Sequence, residues 1–312
     1  MGLAPSLATP FDPQSPQARA IAGLFTQTLV VCAVIGAIVA GLVAYCLVRF
    51  REGRSKGEPV QIEGHTRLEI AWTAVPFVIV VGLLVLTVGA VRASDPPVTG
   101  APDIVVTAHQ WWWEARYASG AVAANEIHVP TRRSLLVRVE SADVIHDFWV
   151  PQLARKIDAI PGHPVFVSMS ADEPGRYPGA CAEFCGAEHA WMRLIVVAEP
   201  DAEFAAWEAR QREPAPEPTP GPVARGVVVY DTKPCAECHA IGGHGPQPRI
   251  GPDLTHIAGR ATLGAGVLRN SPADLTHWLR DPQGIKPDSH MPDMQLNDAE
   301  IDDLVAYLET LR

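Results

Sequence analysis

Two long apolar runs dominate the hydrophobic pattern near the N-terminus. Ala20 to Val48 is 29 residues without a charged side chain, and Ile70 to Val91 is 22 more. Each exceeds the ~20 residues that cross a ~30 Å hydrocarbon core as a helix. The pattern therefore predicts a transmembrane hairpin over residues 20–92, with helices at about 20–48 and 70–91. Pro76 and Gly82 are compatible with a helix in lipid. The first basic residue is Arg19, so the first run lacks the basic leader of a cleaved secretory signal.

After residue 92 the period changes. Ile104–Thr107, Leu135–Glu140, Val165–Ser170 and Leu194–Val197 are short β-branched stretches separated by Pro, Gly and Asp. Such a series predicts a compact all-β sandwich over residues 93–212. Residues 213–222 carry five prolines, which predicts an extended, semi-rigid linker reaching roughly 31 Å at ~3.1 Å per residue. The last segment, 223–312, reads as helical. Ser271-Pro272-Ala-Asp274 has a capping residue, a first-turn proline and an acid. Asn297-Asp-Ala-Glu300 is a capping-box start for a terminal helix with Ile301, Leu304, Val305 and Leu308 on one face. The chain is thus a multidomain membrane protein: helical hairpin, all-β sandwich and all-α domain, joined by a short linker.

Charge adds orientation and narrows the partners. The cytoplasmic side of a membrane protein is the one richer in Lys and Arg. Arg49, Arg51, Arg54, Lys56 and Arg67 cluster around residues 49–69, whereas the tail 1–19 has only Arg19. The loop 49–69 is therefore expected in the cytoplasm, with both termini and everything after Arg92 outside, on the periplasmic side of a bacterial inner membrane. The chain carries a net charge of −10. That balance argues against nucleic acid, whose phosphates need basic neutralisation, and suits a basic protein partner.

The chemistry is concentrated in two cysteine pairs. Cys181 and Cys185 fall within twelve residues that also hold His189 and Met192. Thiolate, imidazole and a weak thioether together are the donor set of copper electron transfer, whereas zinc has little use for Met. A second imidazole must come from upstream; His146 is the best placed, with His109, His128 and His163 as competitors. Farther on, Cys235-Ala-Glu-Cys238-His239 has the spacing of covalent c-type haem attachment. In that motif Cys235 and Cys238 would add to the two haem vinyls and His239 would sit under the iron, and His290-Met291-Pro-Asp-Met294 then offers two thioethers for the other axial position.

These residues carry a resemblance. Cys181-x-Glu183-x-Cys185-x-x-x-His189-x-x-Met192, with Val144-Ile-His-Asp-Phe-Trp-Val-Pro and Lys156-Ile-Asp-Ala-Ile-Pro-Gly, is similar to the binuclear copper (CuA) domain of cytochrome c oxidase subunit II. The resemblance implies a cupredoxin-like fold in which Cys181 and Cys185 bridge two coppers. His146, His189, Met192 and the Glu183 carbonyl would complete the set, and the Glu183 carboxylate would face a Mg²⁺ at the catalytic-subunit interface. His109-Gln-Trp-Trp-Trp-Glu-Ala-Arg-Tyr resembles the aromatic segment where electrons enter, with Trp111 at that position. Strand alternation there leaves at least one Trp facing outward. Leu68-Glu69-Ile-Ala-Trp72-Thr resembles the start of the family's second membrane helix, where Glu69 would guard a proton channel; Asp158 would serve the subunit interface. The C-terminal segment resembles class I cytochrome c, which selects Met291 as the distal ligand over Met294.

The implied function is electron input to a caa-type haem–copper oxidase. Electrons would pass from cytochrome c or another extracytoplasmic donor to haem c, to CuA, and to the haem of catalytic subunit I. That subunit would reduce O2 to water in a proton-translocating complex with other oxidase subunits. Readings to set against this are the same role on a nitric-oxide-reducing enzyme, a nitrous-oxide reductase, and a membrane-anchored copper-binding or assembly protein. A fused haem motif speaks against the last two. A quinol-oxidising relative would lack Cys181, Cys185 and Met192.

Overall fold

The computed structural model describes residues 9–51, 61, 63–95 and 100–312. The chain forms two compact units, Arg19–Asp95 and Met1–Ala18 with Pro96–Arg312.

In the first unit, α1 (Pro16–Arg49) and α2 (Thr66–Ser94) are long, apolar, and exposed along their membrane-spanning windows. Exposed Val, Leu and Phe over many turns match a hydrocarbon surround, not a protein core. Helix α2 starts earlier than the apolar run because its polar first turn is capped. The His65 side chain accepts from Leu68 N (3.3 Å), and Glu69 Oε1 accepts from His65 N (3.2 Å). Arg54 and Lys56, on which the sidedness reading partly rests, lie outside the described residues.

The sandwich contains β1 (Ile104–His109), β2 (Trp112–Tyr117), β3 (Val122–Ala124), β4 (Glu126–Pro130) and β5 (Leu135–Ser141). It continues with β6 (His146–Trp149), β7 (Ile157–Ala159), β8 (Val165–Met169), β9 (Gly175–Cys181) and β10 (Arg193–Glu199). One sheet has the order β3-β2-β1-β5-β8, the other β4-β10-β9-β6-β7. Pairs β1–β5 and β4–β10 are parallel, so the chain crosses between sheets instead of winding through hairpins alone. Inward-facing Val106, Trp113, Val137, Val139, Phe148 and Val196 fill the space between the sheets. The helix α3 (Asp201–Arg210) closes one end with Phe204 and Trp207, the latter stacked on His128 at 4.1 Å. The N-terminal tail packs here too: Ser15 Oγ donates to Leu153 O (2.6 Å).

All three adjacent tryptophans are buried: Trp111 is 9% exposed, Trp112 7% and Trp113 0%. The outward-facing Trp expected from alternation is absent because the C-terminal domain covers that face, with Trp112 Nε1 donating to Ile250 O (3.3 Å).

That domain comprises α4 (Pro222–Thr232), α5 (Cys235–Cys238), the small β11–β12 pair (Thr262–Leu263, Leu268–Arg269), α6 (Pro272–Arg280), α7 (Pro282–Ile285) and α8 (Asp298–Leu308). The two predicted caps form: Ser271 Oγ accepts from Asp274 N (3.1 Å), and Asn297 and Glu300 make the reciprocal capping box. Helices α4 and α8 cross at Gly226, where a Cβ would collide with the Asp303 carbonyl. Arg225 pins the same crossing through Nε and Nη2 to the Asp303 carboxylate (2.8 and 2.7 Å). The start of the Pro-rich run is packed on this domain instead of free: Ala215 N donates to Gly242 O (2.9 Å), and His256 Nε2 lies 3.1 Å from Glu213 O.

Candidate metal and haem sites

Strand β9 ends at Cys181, and the chain turns through residues 182–188 and a 3-10 turn (His189–Trp191) before entering β10. This tight return brings four ligand-type side chains back on themselves. Cys181 Sγ and Cys185 Sγ are 3.7 Å apart, too far for a disulfide at ~2.05 Å. Around them, His189 Nδ1 lies 3.7 Å from Cys185 Sγ, and Met192 Sδ 3.9 Å from the same sulfur. The Glu183 carbonyl lies 3.2 Å from Cys181 Sγ, while the Glu183 carboxylate is exposed.

The missing imidazole comes from the neighbouring strand. Register Phe148↔Cys181 between β6 and β9 places His146 beside the turn, with Nδ1 3.9 Å from Cys181 Sγ. Its other nitrogen, Nε2, donates to the Asp143 carboxylate (2.7 Å), which fixes the ring with Nδ1 free. The competing histidines are elsewhere: His109 stacks on Trp112, His128 on Trp207, and His163 is exposed. His146, Cys181 and Cys185 are all buried, with ligand atoms within 4.8 Å of one another. The thiol pair readily gives up one proton. Cys181 is pulled down to about 3, chiefly by the hydrogen bond from the Cys185 thiol, while that bond and burial push Cys185 up. Soft thiolate sulfur, two imidazoles and a thioether around one point form a donor set that fits copper.

Two N–H groups close over the site from the aromatic segment. Gln110 Nε2 and Trp111 Nε1 both donate to Cys185 O (2.8 and 3.1 Å). Gly186 permits this approach: its φ is +120°, and a Cβ would come 2.9 Å from the Trp111 ring. Nearby, Asp147 is raised to about 7 by burial and by Asp158, its partner across the β6–β7 ladder.

In the C-terminal domain, α5 presents Cys235 and Cys238 to an apolar cleft of about 1360 Å³, its open mouth included. His239, Met291 and Met294 line the same cleft. His239 Nδ1 donates to the Pro252 carbonyl (2.7 Å), leaving Nε2 as the free lone pair. Burial holds this imidazole below its ordinary pKa, hence neutral and able to ligate. The Met291 segment is tied by Gln283 Nε2, which donates to Ser289 O (2.8 Å) and Met291 O (2.7 Å). An apolar cleft with two thiols, a neutral imidazole and thioethers fits a covalently held haem.

Sequence reading passed over the groups joining the two domains. Glu114 on β2 receives Arg249 of the C-terminal domain, through Nε (3.0 Å) and Nη2 (2.7 Å). Burial alone would raise this carboxyl, but His109, Arg249 and Arg116 outweigh it and hold it at about 2. An unperturbed Glu titrates near 4.3. Because the folded value is the lower one, the stabilisation is complete above about 4.3 and disappears as the pH falls toward about 2. The melting temperature of the full chain should therefore exceed that of Glu114→Gln near neutrality, with the gap closing across that window. A gap constant from pH 7 to 2 would show that the charge of Glu114 contributes nothing.

Glu69 sits in the first turn of α2, where its carboxylate accepts from His65 N and its carbonyl from the Thr73 hydroxyl (2.8 Å).

Sequence comparison converges on the same sites. The transmembrane domain of cytochrome c oxidase subunit II matches residues 9–88, the periplasmic domain of that subunit residues 120–199, and cytochrome c residues 223–312. Cytochrome c oxidase subunit 2 of Alkalihalophilus pseudofirmus is 35% identical over 315 residues, 97% of this chain and 91% of that protein. The subunit 2 of Bacillus sp. PS3 is 31% identical, covering 85% of this chain and 80% of its own length. The solved periplasmic domain of subunit II of cytochrome oxidase from Bradyrhizobium japonicum is 31% identical over 37% of this chain and 97% of that one, with a TM-score of 0.35. The three family models thus fall in order along this one chain, and a relative named for the subunit aligns with 97% of it. On that ground the chain belongs to the cytochrome c oxidase subunit II family, as a membrane-bound member with a fused cytochrome c domain of the caa3 kind.

Proposed function

We propose that this chain takes electrons in at its haem domain and passes them through a CuA pair to the haem of a catalytic subunit, which reduces O2 to water in a proton-translocating oxidase. The observation that carries the reading is the convergence of Cys181, Cys185, His146, His189 and Met192 on one point, in a chain that also opens a Cys235/Cys238/His239 cleft. Cys181 and Cys185 would bridge the coppers, with His146, His189, Met192 and the Glu183 carbonyl as the remaining ligands. Cys235 and Cys238 would hold the haem, with His239 and Met291 as axial ligands. When bound, both groups supply reversible one-electron chemistry. The protein's part is to hold ligands in place: Asp143 aims His146, Pro252 O aims His239, and the burial of Cys181, Cys185 and Met192 excludes water. The exposed Glu183 carboxylate, which accepts from Phe184 N (3.1 Å), would also face a Mg²⁺ shared with the catalytic subunit, and Glu69 would stand at the mouth of a proton channel.

Purified chain should carry a copper pair and a haem that survives acid–acetone extraction, with both optical signatures. Absent copper, or an extractable haem, overturns the proposal. Oxygen consumption by the whole complex, and not nitric oxide consumption, fixes the acceptor.

The redox domains and both termini would face outward, with residues 49–69 inside. Protease added to spheroplasts is expected to release fragments from both redox domains. If cutting begins only after the membrane is opened, the orientation is reversed.

A further inference from the structure

Three carboxylates of the β-sandwich lie almost wholly buried where the haem domain covers it: Glu114 is 3% exposed, Glu126 5% and Glu188 2%. Burying a carboxylate is unfavourable unless its charge is met. Within the sandwich Arg116 meets Glu114 and Arg176 meets Glu126 (3.3 Å), and all three carboxylates are also met from the other domain. Arg249 forks onto Glu114. Glu126 Oε1 accepts the successive backbone N–H groups of Ala261 (2.8 Å) and Thr262 (3.0 Å). Lys286 Nζ lies 3.4 Å from Glu188 Oε2, and this lysine is itself buried. The carboxylates stand on β2, on β4 and in the turn before His189, so they are not collinear repeats of one element. Two contacts leave a body free to rotate about the line joining them; a third removes that freedom. Amid these contacts the Trp111 ring meets His290 at 4.9 Å, and its indole N–H reaches Cys185 O. His290 adjoins Met291, so the two ligand sets are linked across one indole.

We propose that Glu114, Glu126 and Glu188 are positioning residues, a three-point socket that seats the haem domain with His290 against Trp111. Electron transfer within the chain then starts from a pose built in advance and needs no diffusive search. The inference rests on the assignment of haem and copper to the two cysteine pairs. In the step itself one electron leaves ferrous haem, which becomes ferric, and reduces the oxidised copper pair by one; no bond forms and no proton moves.

The test uses the full chain in detergent, as wild type, Glu126→Ala, Glu126→Gln and Lys286→Met. Amide hydrogen exchange at residues 261–262 reads the socket directly. Haem-to-copper transfer after flash reduction, at several glycerol concentrations, reads its consequence. Glu126→Ala is expected to accelerate exchange at 261–262 at least about tenfold, the loss of a charge-assisted hydrogen bond. It should also make transfer slower and viscosity-dependent, with both metal spectra unchanged. Glu126→Gln, which keeps an acceptor oxygen, should restore most of the protection. Should Glu126→Ala fail to fold, Lys286→Met must show the same viscosity dependence. Unchanged exchange in Glu126→Ala, or viscosity-independent transfer in both Glu126→Ala and Lys286→Met, overturns the socket. A wild-type chain lacking copper or haem would instead overturn the functional reading, and the exchange measurement would still decide the socket.

Discussion

Cys185→Ser is expected to yield a folded chain with covalent haem and no paired copper signal. Cys185 Sγ is the hub of the cluster, within 3.9 Å of the sulfurs of Cys181 and Met192 and the Nδ1 of His189. A serine hydroxyl is a hard donor that stays protonated at neutral pH, so it cannot replace a thiolate shared by two soft metals. The serine hydroxyl can still donate to Cys181, but it leaves only one soft sulfur bridge where two are needed. Little else should change. The Cys185 carbonyl still accepts from Gln110 and Trp111, and the haem domain has its own core around Tyr230, Ile301 and Leu304. Metal analysis with electron paramagnetic resonance checks this; a variant that kept both coppers and their shared-electron spectrum would remove Cys185 from the site.

At the haem, Met291→Ala is expected to keep the thioether links, abolish the methionine–iron band and lower the potential by on the order of 100 mV, since axial ligands tune haem over about 0.8 V. Met294→Ala should leave the band in place. Both thioethers line the cleft, but their backbones are held differently. Gln283 clamps the carbonyl of Met291, and Pro292 restricts Met291 to extended conformations. His290, the residue before, rests on Trp111. Met294 lies beyond this clamp. Loss of the band in Met294→Ala alone would reverse the assignment. Persistence in both variants would point to another ligand, with His290 first.

Local chemistry was legible in the sequence wherever one short segment supplies it. Cys181, Cys185, His189 and Met192 occupy a single turn, and Cys235, Cys238 and His239 a single helix end. The caps of α6 and α8 likewise depend on residues three apart. His146 is picked out over three competing histidines only by the family resemblance of its segment, because β6–β9 register brings it to the cysteines and register is non-local. Strands β6 and β7, of four and three residues, are too short for a period of two to show. Helix α3 had a usable signal in Phe204 and Trp207, three apart, that the β pattern before it concealed. The burial of Trp112, Glu114, Glu126 and Glu188 has no local signature: each looks like a solvent-facing position until a second domain settles on it.

Glu213 has a double attachment. Its amide donates to Arg210 O, continuing the last turn of α3, while its carbonyl is 3.1 Å from His256 of the haem domain. One residue thus belongs to both domains, and the run that follows starts out fastened to the haem domain through Ala215 N and Gly242 O, not as a leash. The hinge left between the two bodies is close to zero residues long. A rotation of the haem domain must therefore begin by breaking the His256 contact, and until it does the domain has no swing radius with which to visit another partner. Lengthening the proline run would leave that radius unchanged, whereas inserting residues between Arg210 and Glu213 would create one.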